Sequence, residues 1–229
     1  METFLRDVIH INTDRYSVPV ILLFTFGTCF WIYTYIKVIL GILKYKIAEI
    51  PMPVAAFNIA WEFCWGFLLV NDYGPIFKYA AMIWFFMDVF INFKLLQYGP
   101  KLVTHPWIKK NYKGLYVFFL LGGGCITYFM RTVAEDDGVG IVSAYFISLC
   151  ISSLYIYQLL NFPQYRNKGF SYGIAWGKFM GTAPVTIGTF LLYPDNHFVH
   201  TMAVMVFAMD ILYIYLFKKY SPEIPEQTA

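Results

Sequence analysis

The chain has 229 residues, of which 59% are hydrophobic and 14% are charged, and its mean hydropathy is +0.56. A soluble domain carries roughly a quarter charged residues, so this composition excludes an ordinary soluble globular protein. No polar stretch is long enough to fold separately, and we predict that residues 1–229 form a single transmembrane domain. The net charge of +3 is small. We assign the basic residues to membrane topology and anionic lipid rather than to nucleic-acid binding.

The hydrophobic residues fall into segments of membrane-spanning length. A helix needs about 20 apolar residues to cross a hydrocarbon core roughly 30 Å thick. The sequence therefore predicts an all-α bundle of seven transmembrane helices, at residues 19–43, 53–70, 76–96, 114–130, 139–160, 173–192 and 199–217. Proline and glycine punctuate the linkers. The second and fourth segments are short, which leaves a count of six open.

Basic residues are concentrated in one alternating set of linkers. They are Lys44, Lys46, Lys101, Lys109, Lys110, Lys113, Arg166, Lys168, Lys218 and Lys219. Cytoplasmic loops are enriched in Lys and Arg. We therefore predict an outside or lumenal N-terminus and a cytoplasmic C-terminus. These locations require an odd helix count and favour seven, in a bacterial inner membrane or the endoplasmic reticulum.

Two pairs of segments resemble each other. Residues 87–91 (MDVFI) resemble residues 209–213 (MDILY), and residues 58–63 (NIAWEF) resemble residues 173–178 (GIAWGK). Each pair lies four helices apart, an even offset that preserves orientation across the membrane. We hypothesise a 3+1+3 parallel repeat in which the fourth helix is the linker.

Five ionisable residues are predicted to lie within the membrane: Glu62, Asp88, Lys94, Lys178 and Asp210. Such residues are costly and usually functional. Of these, Lys94 is expected to extend its amino group to the cytoplasmic surface. At 1.5 Å per residue, Glu62 and Asp210 lie about 15 Å and about 12 Å from the cytoplasmic ends of their helices. We therefore predict that these carboxyl groups meet in one cavity in the cytoplasmic half of the bundle. For Asp88, a hydrogen bond with Asn92 and an ion pair with Lys178 are both open.

Polar and aromatic neighbours accompany these carboxyl groups at helical spacing. Asn58 precedes Glu62 by one turn, Trp61 and Trp65 flank it, and Tyr213 follows Asp210 by three residues. Aromatic residues make up 21% of the chain. Those deep in the bundle are candidates for a cavity whose π faces stabilise a carbocation.

The sequence lacks the usual signatures of phosphate or metal chemistry. The acidic loop at residues 135–138 (EDDG) is followed by Gly140, where a DDxxD metal–diphosphate motif requires its last Asp. No Gly-rich phosphate loop or HExxH motif is present. We predict no metal site.

Residues 51–62 (PMPVAAFNIAWE) resemble the integral-membrane terpene cyclases of meroterpenoid and indole-diterpene pathways, the paxilline-cyclase-like family. That family has about seven helices and an Asn-x-x-Trp-Glu motif in the second helix, which residues 58–62 match. It also carries an Asp followed by a Tyr in the last helix, which residues 210–213 (DILY) match. Trp176 and the following Gly181 and Thr182 are similar to its sixth helix. Residues 63–65 depart from the family's pattern and leave the substrate open.

The resemblance implies that Glu62 and Asp210 are catalytic acids. They would protonate a terminal epoxide or alkene of a linear prenylated substrate dissolved in the membrane, without a metal or other cofactor. The predicted substrate-binding residues are Asn58, Trp61, Trp65, Asp88, Trp176, Lys178 and Tyr213.

A small 3+1+3 transporter is the alternative, and a structural membrane protein is a third reading. A carrier requires a polar site reachable from both faces of the membrane, with Glu62, Asp88 and Asp210 as coupling groups. A cyclase requires an apolar pocket closed to one face. The sequence leaves the oligomeric state open.

Overall fold

The computed structural model describes residues 1–7, 9–133, 136–162 and 168–220. Within these ranges the regular structure is helical, with no β-strand. Glu135 of the acidic loop and Arg166 of the basic set lie outside the described residues.

The long helices match the predicted apolar segments closely, and short helices lie between them. In chain order the elements are α1 Glu2–Asp7, α2 Val18–Tyr45, α3 Met52–Phe63, a π-helix at Cys64–Leu68, α4 Pro75–Tyr98, a 3₁₀-helix at Gly99–Leu102, α5 Pro106–Lys110, α6 Tyr112–Thr132, α7 Ile141–Asn161, α8 Tyr172–Leu192 and α9 His197–Tyr220.

Among the described residues, five helices are long and apolar enough to cross a membrane. They are α2, α4 with its 3₁₀ extension, α6, α7 and α9. The predicted second segment is divided between α3 and the π-helix, and α8 is rich in glycine and threonine. The all-helical membrane character is confirmed, whereas the count of seven spans and their orientation stay predictions.

Glycines allow α8 to pack closely along α2. A Cβ atom on Gly27 would lie 2.6 Å from the carbonyl oxygen of Gly181, and one on Gly177 would lie 2.5 Å from Oγ1 of Thr34. Small residues at such spacing let membrane helices approach each other closely. The glycines that lower the hydropathy of α8 thus provide its contact with α2.

Helix pairing follows the same pattern in the two predicted triplets. The third helix packs against both others in each triplet: α4 against α2 and α3, and α9 against α7 and α8. The first and second helices, α2 with α3 and α7 with α8, make at most marginal contact among the described residues. This pattern agrees with the 3+1+3 hypothesis, which remains a prediction.

The π-helix directly follows Glu62 on α3. Its wider turn is visible in the hydrogen bond from the Leu69 amide to the Cys64 carbonyl oxygen, 2.8 Å across five residues. Gly140, at φ 68°, immediately precedes α7 and packs against Trp65, and a Cβ there would lie 2.6 Å from the indole ring. The π-helix and this glycine therefore bring α7 against the Glu62 end of α3. Such π-turns occur frequently at functional sites.

Candidate active site

Glu62 is buried at the centre of a hydrogen-bond cluster. Its side chain is on the same face of α3 as Asn58 because the two residues are four positions apart. Tyr35 donates a hydrogen bond from its hydroxyl to Oε1 of Glu62 at 2.5 Å, and Asn58 donates from Nδ2 to the same oxygen at 2.9 Å. The other oxygen, Oε2, is buried and accepts from no N–H or hydroxyl donor among the described residues, and the Asp88 carboxyl group lies within hydrogen-bonding reach of the Glu62 carboxyl group.

Asp88 is a second carboxyl group in this cluster. Nδ2 of Asn58 lies 2.9 Å from Oδ2 of Asp88, so one amide bridges the two acids. Glu62 and Asp88 are each 2% exposed. Among the described residues no Lys or Arg pairs with either. Asn92 donates to the backbone carbonyl oxygen of Asp88 at 2.9 Å, so the alternative of a hydrogen bond between these two residues is present, through the backbone and not the carboxyl group.

Asp210 belongs to a separate buried cluster. Nζ of Lys178 lies 2.5 Å from Oδ1 of Asp210. Ser152 donates to the same oxygen at 2.8 Å and accepts from Lys178 at 2.7 Å. Lys178 therefore pairs with Asp210, and the alternative in which it pairs with Asp88 is wrong.

An apolar cavity of about 250 Å³ opens next to Glu62. An apolar cavity of about 150 Å³ already holds a molecule the size of benzene. The aromatic side chains in its wall are Phe24, Trp31, Tyr35, Trp61, Tyr73, Phe77, Trp84 and Tyr145. The polar groups at its deep end are Tyr35, Asn58 and Glu62. The site thus combines one buried acid with an apolar, aromatic wall.

The cavity lies in the opposite half of the bundle from the one predicted. Its far end is lined by Ile11, Tyr73 and Val139, which lie on the N-terminal side. Asp210 does not line it, so the expected meeting of Glu62 and Asp210 in one cytoplasmic-side cavity is corrected. The position of a residue along its helix determines its depth in the membrane but not whether its side chain faces the cavity.

A cavity of about 50 Å³ lies between the two polar clusters. Asn58 and Asp88 line one part of it, and Lys178 lines another. The clusters are therefore neighbours without a direct hydrogen bond.

Comparison of the sequence with known proteins identifies the family of this chain. The model of the family "Pyr4-like transmembrane terpene cyclases" matches residues 16–223. The chain belongs to this family. Its membership confirms the resemblance that residues 51–62 carry.

Two curated proteins are distant relatives. The Pyr4-family terpene cyclase mfmH of Annulohypoxylon moriforme is 24% identical over 190 residues, which cover 79% of this chain and 75% of the relative. The terpene cyclase atmB of Aspergillus flavus is 26% identical over 171 residues, which cover 71% of this chain and 66% of the relative. No solved structure matches the chain. Membership in the Pyr4-like family supports a membrane-bound terpene cyclase.

The remaining predicted substrate-binding residues of this Pyr4-like protein lie in different places. Trp61 lines the cavity, and its indole donates to Ser143 at 2.8 Å. Trp65 is fully buried behind it, with ring centroids 6.1 Å apart. Trp176 is 41% exposed on α8, and Tyr213 packs against Tyr155, so neither lines the cavity.

Tyr35 was missed as a site residue. The cavity-lining residues of α2 recur at three- and four-residue spacing, at Phe24, Thr28, Trp31 and Tyr35. This spacing is the available signal. It is hidden because α2 is apolar on every face.

A polar network joins the segments at the N-terminal end of the cavity. We call it the loop network; it consists of Arg15, Tyr16, Asp72, Asp137 and Tyr193. Asp72 pairs with Arg15 and accepts from Tyr16 at 2.5 Å, while Tyr193 contacts Arg15 at 3.1 Å and donates to Asp137. Burial raises the pKa of both tyrosines and of Asp137. Both phenols therefore stay protonated and act as donors at neutral pH.

The acidic loop that lacks the metal motif has a structural role here. Asp136 is 1% exposed and accepts from the backbone amides of Val142 and Ser143 at 2.9 and 3.2 Å. These amides lie in the first turn of α7, where an anionic acceptor stabilises the helix. Asp136 thus stabilises the start of α7, a helix that lines the cavity beside Trp61.

Proposed function

We propose that this protein cyclises a linear prenylated substrate by protonating its terminal epoxide or alkene, with Glu62 as the proton donor. The observation that carries the proposal is the asymmetry of the Glu62 carboxyl group. Oε1 accepts from Tyr35 and Asn58, whereas Oε2 accepts from no N–H or hydroxyl donor among the described residues, and Glu62 lines an apolar cavity. A protonated carboxyl group in this position offers its proton to a substrate in the cavity.

The charge balance of the cluster supports a bound proton. Glu62 and Asp88 are bridged by a single amide and have no cationic partner among the described residues. Two adjacent carboxylates without a cation would be strongly unfavourable in a membrane interior. We infer that the two acids share a proton, with Asp88 positioned to return one to Glu62.

The proposed reaction is an isomerisation. Transfer of the Glu62 proton to an epoxide oxygen opens a C–O bond, and the neighbouring alkene supplies the electron pair that forms the first C–C bond. Further alkenes repeat this step. The last carbocation then loses a proton to a base and becomes an alkene, which balances the proton that Glu62 donates. Aromatic faces stabilise the positive charge. A dry cavity prevents water from trapping the cation.

A carrier function is not favoured. A carrier requires a polar site reachable from both faces of the membrane, whereas this cavity has an apolar wall and a deep end at Glu62. The match to a family of terpene cyclases also weighs against transport.

The test is an assay of membranes that contain the protein, supplied with linear farnesylated phenols with and without a terminal epoxide. We expect a product isomeric with the substrate. Glu62→Gln removes the acid while retaining the shape and should lower the rate by at least about 100-fold, since general acids typically contribute this much. Product formation is measured by chromatography and mass spectrometry.

Glu2→Gln, the same change at an exposed position in α1, is the matched control and should retain full activity. Both variants are checked for a monodisperse peak in detergent. Full cyclisation by folded Glu62→Gln would reject the assignment of Glu62. Unchanged substrates with the wild-type protein would reject this substrate class.

A further inference from the structure

The cavity is closed at the end that faces away from Glu62. Ile11, Tyr73 and Val139 line that end and are 4%, 7% and 5% exposed. Backbone hydrogen bonds join their segments, from Asn12 to Tyr73 at 2.9 Å and from Asp72 to Gly138 at 3.2 Å. The loop network lies on the same segments. A substrate therefore has no open route along the bundle axis from the N-terminal side.

The deep end is closed as well. Tyr35, Asn58 and Glu62 are joined there by hydrogen bonds of 2.5–2.9 Å. Tyr35 and Glu62 are buried, so this end is a floor and not a passage.

The side between α2 and α4 differs from both ends. Among the residues that line the cavity, Thr25 on α2 and Ile76 on α4 are exposed, Ile76 by 43%. The cavity-lining residues of α7 and α8 are all buried or half-buried. This difference follows from packing, because the glycine contacts of α2 are directed towards α8.

We propose that the gap between the N-terminal halves of α2 and α4, bordered by Thr25 and Ile76, is a lateral portal through which a prenyl chain enters from the bilayer. The chain enters with its terminal isoprene first, because Glu62 lies at the closed end. The more polar end of the substrate then stays near Thr25 and Tyr73. Burial raises the pKa of Tyr73 to about 12, so its hydroxyl is neutral there. This assignment takes its substrate class from the proposed function.

The orientation is tested with two photoactivatable farnesols in liposomes, one with a diazirine beside the hydroxyl group and one with a diazirine on the terminal isoprene. After irradiation, labelled peptides are identified by mass spectrometry, with excess unlabelled farnesol as competitor. We expect the terminal probe to label residues 58–62 and the hydroxyl-end probe to label the surroundings of Thr25 and Ile76. The reverse pattern, or equal labelling of both regions by both probes, would overturn the proposal.

The portal is tested with Thr25→Trp and Ile76→Trp. Each should lower labelling of residues 58–62 by the terminal probe at least fivefold. The matched controls, Leu22→Trp on α2 and Ile83→Trp on α4, change residues that are each 53% exposed and outside the cavity wall, and should label as the wild type. Unchanged labelling in the portal variants, or an equal loss in the controls, would contradict the portal. Labelling as expected without cyclisation of any prenylated substrate would retain the portal and reject the proposed function.

Discussion

At the residue scale, the two acids implied by the family resemblance differ in their electrostatic surroundings. Glu62 has hydrogen-bond donors but no cation, whereas Asp210 has a lysine at 2.5 Å. A carboxylate held by a lysine is a poor proton donor. We infer that Asp210 balances the buried charge of Lys178 and does not donate the initiating proton.

This difference predicts separate outcomes for single and double substitutions. Asp210→Asn leaves Lys178 as an unpaired buried charge and should cost about 3–5 kcal/mol of stability. Asp210→Asn combined with Lys178→Met removes both charges and should restore most of the stability. Thermal denaturation in detergent measures the effect.

Activity of the double variant distinguishes the two roles of Asp210. If Asp210 and Lys178 only neutralise each other's charge and fill space, the double variant should regain a substantial part of wild-type cyclisation. A stable double variant that remains inactive would restore Asp210 to the catalytic residues.

The sequence predicted several of the residues that form the site, but it did not predict their hydrogen-bond and ion-pair partners. Asn58, Trp61 and Glu62 were predicted as site residues, and all three line the cavity. The ion-pair partner of Lys178 was not determined by the sequence, because residue spacing within a helix does not predict that α8 packs against α9. Tyr35 carries no charge, and its position on a uniformly apolar helix concealed its hydrogen bond to Glu62.

At the element scale, the close approach of α2 and α8 depends on glycine. Gly27→Ala would place a methyl group 2.6 Å from the Gly181 carbonyl oxygen, and backbone cannot move aside cheaply. We expect a loss of about 1–3 kcal/mol, typical of overpacking. The midpoint temperature for loss of the monodisperse peak in detergent should fall by several degrees.

Gly122→Ala on α6 is the matched control, because nothing lies within 4 Å of its added Cβ. It should be neutral or slightly stabilising, since alanine is favoured over glycine inside a helix by about 0.5–1 kcal/mol. Equal stability of the two variants would show that the contact between α2 and α8 is looser than described.

The positions of the helices were largely predictable from the sequence, whereas the type of helix, α or π, was not. The apolar segments predicted at 76–96 and 199–217 correspond to α4 and α9. The segment predicted at 53–70 contains a π-helix, which a hydropathy profile does not distinguish from an α-helix. The extra residue in that turn is accommodated by tertiary packing around Trp65.

At the scale of the whole molecule, the loop network joins four regions that are distant in sequence. Its members lie before α2, after the π-helix, before α7 and after α8. Arg15 and Asp72 have 40% and 30% exposed side chains, so their ion pair should contribute no more than about 1 kcal/mol. We infer that the network contributes mainly by excluding water from the cavity.

Asp72→Asn weakens this closure and should change the products more than the stability. Water entering from the N-terminal side would trap part of the carbocation, and we expect the fraction of hydrated product to rise severalfold. Mass spectrometry distinguishes this product from the cyclic isomer by the mass of one water. The control Asp195→Asn, in an exposed position between α8 and α9, should leave the product ratio unchanged. An unaltered ratio in Asp72→Asn would show that water is excluded by other groups.

The two predicted triplets carry corresponding polar clusters. In the first, Asp88 of the third helix contacts Asn58 of the second, and in the other Asp210 contacts Lys178 in the same way. Residues 87–91 and 209–213, whose similarity suggested the repeat, therefore occupy comparable surroundings. The presence of a cation in only one of the two clusters could not be predicted from that similarity, because Asn58 and Lys178 are not equivalent positions in it.

Entry through the proposed portal beside Thr25 and Ile76 would determine which substrate concentration controls the reaction rate. A site that fills from the side responds to the mole fraction of substrate among the lipids, and not to its concentration in the surrounding water. Adding inert lipid at constant total substrate then acts as dilution, and an apparent KM in molar units depends on the amount of membrane in the assay. Membrane area, set by the cell, thereby becomes part of the rate law.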